Sequence, residues 1–245
     1  MAQAYECEKL VVTAHPEYPP YHWRDGTKIV GASVDITREV LAEIDIELEA
    51  KHFGPWKRVL TSAQDNRFDA ILALKKTEKR SRFLDYTSSP ILPNPFAVFV
   101  LKHREFDFQE WIDLINKRGG KNAGDRYGDA FDKFAVQNLS LEDAYSTENN
   151  VLKLLTERID YLIHGRYVGM AHFAMIDQGH FIQPLDKNIN EGFIHTGFTK
   201  QSACKDVLPY LSKRYSEMLA SGEAEEYLQK NIKRWTEFSK KREKN

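Results

Sequence analysis

Cysteine is nearly absent: Cys7 and Cys204 are the whole complement, at opposite ends of 245 residues. They form no CxxC pair and no Cys/His cluster, which removes the usual zinc frameworks, and no metal site is expected. Two such cysteines are free buried thiols in a reducing compartment, or one bridge closing a very long loop in an oxidising one. Net charge is also missing, since 35 Lys+Arg stand against 36 Asp+Glu for a formal charge of -1. A surface built for nucleic acid is normally strongly basic, so no nucleic-acid partner is expected. No apolar run approaches the roughly 18–20 residues of a membrane span, and no helical span is expected. No Gly-rich phosphate loop or nucleophile elbow occurs, and no cofactor is expected. The start, Met1 to Cys7, has neither a basic n-region nor an apolar h-region. It fits either a cytosolic protein or an exported one whose signal peptide has been removed.

What is present suffices for a folded protein with a small partner. A hydrophobic content of 42% fills the core of one large domain or two lobes of ordinary size. Aromatics at 12% and charges at 29% exclude intrinsic disorder. Leu10 to Ala14 is a short apolar run, and His15 to Tyr21 is expected to be a loop, because its three prolines forbid helix. Asp25-Gly26 reads as a turn. Ile36, Val40, Leu41 and Ile44 recur at helical spacing, and Ile46 to Ala50 alternates with the period of a strand. Trp56 to Gln64 reads as helix and Phe68 to Leu74 as a buried strand. This β-α-β-α-β order predicts a mostly parallel sheet covered by helices.

After the proline-rich break at Pro90 to Pro95 and the strand Phe96 to Leu101, a second alternating series follows. Helices are expected at Trp111–Lys117, ended by Gly119-Gly120, at Asp129–Val136, at Glu148–Arg158 with Thr147 as N-cap, and at Val168–Ile176. Strands are expected at Lys121–Gly124, Asp160–Ile163 and Phe181–Leu185. Two helices split at Ser221-Gly222 close the chain, and the basic end from Lys233 to Lys244 reads as a solvated face and frayed tail. There is no internal repeat. Two α/β lobes joined by extended segments suggest a cleft, a favoured place for small ligands.

Five short motifs, in order, narrow the ligand class. They are Tyr18-Pro19-Pro20-Tyr21; Gly31 to Ile36 (G-A-S-V-D-I); Trp56 with Asp69-Ala70-Ile71; Thr77-Glu78-Lys79-Arg80 followed by Tyr86 to Pro90; and Gly197 to Lys200 with Ser221-Gly222. Together they resemble the family 3 extracellular solute-binding proteins, the periplasmic binders of polar amino acids in ABC importers. The resemblance implies an α/β, two-lobe periplasmic binding protein fold, type II-like, with a ligand cleft between lobes joined by two hinge strands. Lobe 1 would comprise residues 1–93 and 193–245, and lobe 2 residues 94–192. It implies an exported, periplasmic monomer, non-catalytic, that delivers a small polar carboxylate to an ABC-type permease. It also favours a Cys7–Cys204 bridge within lobe 1. Alternatives on the same fold are a ligand sensor feeding a receptor and a dehydratase-like enzyme, for which Glu17 is the nearest carboxylate.

The resemblance also nominates residues. Arg80, in T-x-x-R, would pair with the ligand carboxylate through two parallel N–H donors. Tyr18 and Trp56 would sandwich the ligand side chain. His15 stands where some relatives place a carboxylate for a basic side chain, which speaks against lysine or arginine as ligand. Lys76 would add positive charge beside Arg80. In lobe 2, Asp129 either caps a helix or meets an ammonium group. The usual ammonium partner is replaced by Gly165, leaving His164 and Arg166 beside it.

Overall fold

The computed structural model describes residues 5–243, so the first four residues of the Met1–Cys7 start and Lys244 of the basic tail lie outside the described residues. Strand β1 (Lys9–Thr13) is followed by β2 (Glu17–Tyr18), β3 (His22–Asp25), β4 (Lys28–Val30), α1 (Ala32–Ala42), β5 (Glu47–Ala50), α2 (Trp56–Gln64) and β6 (Ala70–Leu74). Then come the single-turn α3 (Glu78–Ser81), β7 (Leu84–Tyr86) and β8 (Leu92–Pro93). The middle segment runs β9 (Phe96–Leu101), β10 (Arg118–Asn122), α4 (Asp129–Asn138), β11 (Ser140–Ala144), α5 (Thr147–Leu155), β12 (Tyr161–Gly165), α6 (Arg166–Phe173) and β13 (Ile182–Asn190). The chain returns through β14 (Phe193–Thr199) and ends in α7 (Leu208–Ser221) and α8 (Glu223–Glu243). Two compact units result. The first joins the chain up to Pro93 with Phe193–Glu237, and the second joins Asn94–Gly192 with the residues from Phe238.

The main sheet of the first unit has the order β5-β1-β6-β14-β7, with β8 on β14. β1 runs parallel to β5 and β6, whereas β14 is antiparallel to β6 and β7. β6 is buried along its whole length, as its unbroken apolar run requires of a strand covered on both faces. Asp69, just before it, accepts the Val11 amide (2.9 Å) and the Ser202 hydroxyl (2.8 Å), tying β1 to the loop after β14. α1 buries Ile36, Val40 and Leu41. Its N-cap, Gly31, has φ +130, and a Cβ there would lie 2.5 Å from His22 Cα and 2.6 Å from the Tyr21 carbonyl oxygen. Only glycine lets this helix start so close to the preceding loop. Cys7 and Cys204 are disulfide-bonded, with 197 residues of sequence separation.

The prolines of the first loop do not exclude all strand structure. Glu17–Tyr18 forms the edge of a small antiparallel sheet, β2-β3-β4, turned at Asp25-Gly26. An edge position leaves the neighbouring prolines without a ladder partner to deny.

The second unit carries a sheet of order β11-β10-β12-β9-β13, parallel between β10 and its neighbours and antiparallel around β9. Gly119 and Gly120 do not end a helix; they lie inside β10, where added Cβ atoms would lie 2.4 Å from the Tyr161 ring and 2.5 Å from Ile159. The strand expected at Lys121–Gly124 is therefore displaced toward the N-terminus, and the helix expected at Trp111–Lys117 is a short 3-10 turn at Trp111–Leu114. The N-cap of α5 is Ser146, whose hydroxyl accepts the Asn149 amide (3.3 Å); Thr147 is the first helical residue.

Candidate ligand site

In the first unit, the end of β6 and the single turn of α3 place a cation against an aromatic face. The Thr77 hydroxyl caps the turn by accepting the Arg80 amide (3.3 Å). Arg80 Nη1 donates to the Lys75 carbonyl (2.8 Å), and its guanidinium carbon stands 5.4 Å from the centre of the Trp56 ring. Arg80 is half-buried while Lys79 and Arg82 are exposed. Trp56 packs on a core formed by Val59, Phe68, Ile71, Leu74 and Leu84, which holds the ring in place. One of the five guanidinium N–H donors is thus occupied in holding the group, and no carboxylate among the described residues lies within ion-pair distance of it.

His15 continues the wall. Its ring centre is 5.3 Å from that of Trp56 and 6.3 Å from that of Tyr18. His15 Nδ1 accepts the Glu17 amide (3.0 Å), so the neutral ring carries its proton on Nε2. Burial lowers the His15 pKa, opposed by the nearby Glu17 carboxylate. Tyr18 stacks on Tyr21 at 5.2 Å, and Tyr21, fully buried, donates its hydroxyl to the Pro93 carbonyl (2.7 Å). Beneath them His22 Nδ1 meets Ser33 Oγ (3.2 Å), which itself donates to the Tyr21 carbonyl (3.0 Å). His22 is therefore the Nδ1–H tautomer, and complete burial pushes its pKa down to about 3.

Lys76 Nζ lies 6.0 Å from the centre of the Tyr86 ring, and His195 meets that ring edge-on at 6.4 Å. The Tyr86 hydroxyl is buried and makes no hydrogen bond of normal geometry, although the Thr77 amide is near. Burial raises the Tyr86 pKa, and the Arg80 charge opposes that shift. His195 Nδ1 donates to the Thr87 carbonyl (3.0 Å), and burial lowers its pKa. Tyr86 and His195 were not singled out from the sequence. Their meeting depends on β7 pairing with β14, with Tyr86 opposite Gly197, and no local spacing reports that pairing.

In the second unit, Asp129 is the first residue of α4 and exposed; it caps nothing, because Gly128 is the N-cap and Asp132 takes the nearby Tyr127 amide (3.1 Å). His164, on β12, has Nδ1 3.2 Å from the Gly165 carbonyl oxygen and Nε2 3.3 Å from Thr147 Oγ1. The Asn122 amide donates to the same hydroxyl (3.1 Å), and Asn150 donates to Asn122 (3.0 Å). Burial lowers the His164 pKa. Arg166 is committed to its own unit, donating to Asn188 (2.6 Å) and to the Leu185 (2.5 Å) and Asp186 (2.9 Å) carbonyls. Gly165, at the end of β12, is buried. Among the described residues no group of three His, Cys, Asp or Glu is placed to hold a metal ion, and no described helix is long and apolar enough to cross a membrane.

The profile of the bacterial extracellular solute-binding proteins, family 3, matches residues 10–235. The chain belongs to that family. It is 24% identical over 237 residues to the arginine-binding extracellular protein ArtP of Bacillus subtilis, covering 93% of this chain and 86% of ArtP. The second substrate-binding domain of GlnP from Lactococcus lactis superposes with a TM-score of 0.77 at 16% identity, covering 95% of this chain and 99% of that one. The amino acid ABC transporter substrate-binding protein AbpA of Streptococcus pneumoniae, solved with L-arginine, gives a TM-score of 0.58 at 24% identity, covering 94% and 96%. The two mixed α/β units are thus the fold of substrate-binding proteins of amino acid transporters, and membership of the family makes this chain an extracellular solute-binding protein.

Proposed function

We propose that this protein captures a small polar solute bearing a carboxylate, amino-acid-like, and delivers it to an ABC-type importer. The observation that carries the reading is Arg80. Its guanidinium is fixed by the Lys75 carbonyl and by Trp56, and its remaining N–H donors match the two oxygens of a carboxylate. Trp56, His15 and Tyr18 supply flat faces for the solute body, which give contact area at low entropic cost. The role is binding and not catalysis. ArtP, named as arginine-binding, and AbpA, solved with L-arginine, are each only 24% identical to this chain, and the neutral His15 offers no fixed negative charge to a basic side chain.

A thermal-shift screen of amino acids, their derivatives and small mono- and dicarboxylates tests this. A solute that binds only the folded form adds about 2.7 kcal/mol of stability at a hundredfold excess over Kd, enough to raise Tm by several degrees. At least one carboxylate is expected to do so, with the analogue whose carboxylates are all blocked as amides or esters inactive. A screen in which amine- or sugar-only solutes stabilise the protein and no carboxylate does contradicts the reading.

A further inference from the structure

Two cations flank the turn between β6 and β7, and they are arranged alike. Arg80 stands over the face of Trp56 at 5.4 Å, and Lys76 stands over the face of Tyr86 at 6.0 Å. Neither has a carboxylate within ion-pair distance among the described residues, whereas Lys9 pairs with Glu47 and Glu49, and Lys205 with Asp85. Beside Lys76, the Tyr86 hydroxyl is a buried donor without a hydrogen bond of normal geometry, backed by the His195 ring. The nearby carboxylates are occupied or turned outward, since Asp85 pairs with Lys205 and both Glu17 and Glu78 are exposed. One monocarboxylate satisfies Arg80 and leaves Lys76 and the Tyr86 hydroxyl without an acceptor.

We propose that the solute carries two acidic groups, one held by Arg80 over Trp56 and the other by Lys76 and the Tyr86 hydroxyl. The inference rests on the reading that Arg80 anchors a carboxylate. It sets this chain apart from arginine-binding relatives, because a guanidinium or ammonium side chain would face Lys76 instead of an acid. An acidic amino acid or a short dicarboxylate fits; a neutral amide of the same shape lacks the second charge.

Isothermal titration of the purified protein with L-glutamate, L-glutamine, glutarate and L-arginine tests it. Glutamate is expected to bind at least tenfold more tightly than glutamine, glutarate to bind, and arginine to bind weakest. Lys76→Met is expected to bring the glutamate and glutamine affinities within threefold of each other. Tyr86→Phe, which keeps the ring, is expected to narrow the ratio in the same direction, and Lys79→Met to leave it unchanged. Glutamine or arginine binding more tightly than glutamate overturns the two-acid solute while leaving the carboxylate reading standing. A Lys76→Met protein with an unchanged ratio overturns the role of Lys76. Absence of binding by all four overturns the inference together with the reading beneath it.

Discussion

His22 lies under the Tyr18–Tyr21 stack with its imidazole fully enclosed, one nitrogen bonded to Ser33 and the other without a partner. Desolvation, with a smaller contribution from His15, holds its pKa at about 3 against an ordinary value of 6.5. Between these values the unfolded chain binds the proton that the folded chain refuses. Stability from this group is therefore complete above pH 6.5, falls as the pH drops below it, and levels off near pH 3. From pH 7 to pH 5 the loss is about 2 kcal/mol. Urea unfolding at the two pH values is expected to show the wild type losing about that much more than His22→Gln; equal losses would remove His22 as the cause. Arg80 stands at the opposite pole of legibility, since Thr77-Glu78-Lys79-Arg80 marks it in the sequence and the Thr77 cap then fixes it. The Tyr86–His195 pair is invisible to such reading, because it forms only when β7 and β14 align.

Two glycines with positive φ separate the cost of backbone conformation from the cost of space. Gly222, between α7 and α8, has φ +85 and nothing within 4 Å of a built Cβ. Gly31, at the start of α1, has φ +130 and backbone atoms closer than 3 Å. Gly222→Ala is expected to cost about 1 kcal/mol, the price of a left-handed alanine. Gly31→Ala is expected to cost about 3 kcal/mol or more, since the Tyr21–His22 backbone must move as well. Urea titration of both variants checks the ranking, and a Gly31→Ala protein as stable as Gly222→Ala would contradict it. At this scale the long periodic segments were readable: α1, α2, β6 and the terminal helices announce themselves by apolar spacing. The failures share a cause. β10 contains Gly119-Gly120 because Tyr161 and Ile159, some forty residues later, occupy the space above them, and β2 pairs despite its prolines because it is an edge. Both are set by distant partners and not by local propensity.

At the scale of the molecule, each unit is an α/β layer built on its own sheet, and the first is assembled from both ends of the sequence. The Cys7–Cys204 bridge lies within that first unit, closing a loop that contains the Asn94–Gly192 segment of the second unit and restricting the unfolded chain accordingly. The same unit carries Arg80, Trp56, His15 and Tyr18. The central claim is that Arg80 anchors a solute carboxylate there. Breaking a desolvated charge pair costs about 3–5 kcal/mol, a hundredfold or more in Kd. Arg80→Lys keeps the charge without the paired donors and is expected to bind weakly, whereas Arg82→Ala, on an exposed position, is expected to bind normally. The decisive measurement is calorimetric titration of wild type and Arg80→Ala with the carboxylate that stabilises the wild type most. At least a hundredfold loss is expected, with an unchanged urea midpoint in the absence of solute, and binding of Arg80→Ala within threefold of wild type would contradict the anchoring role of Arg80.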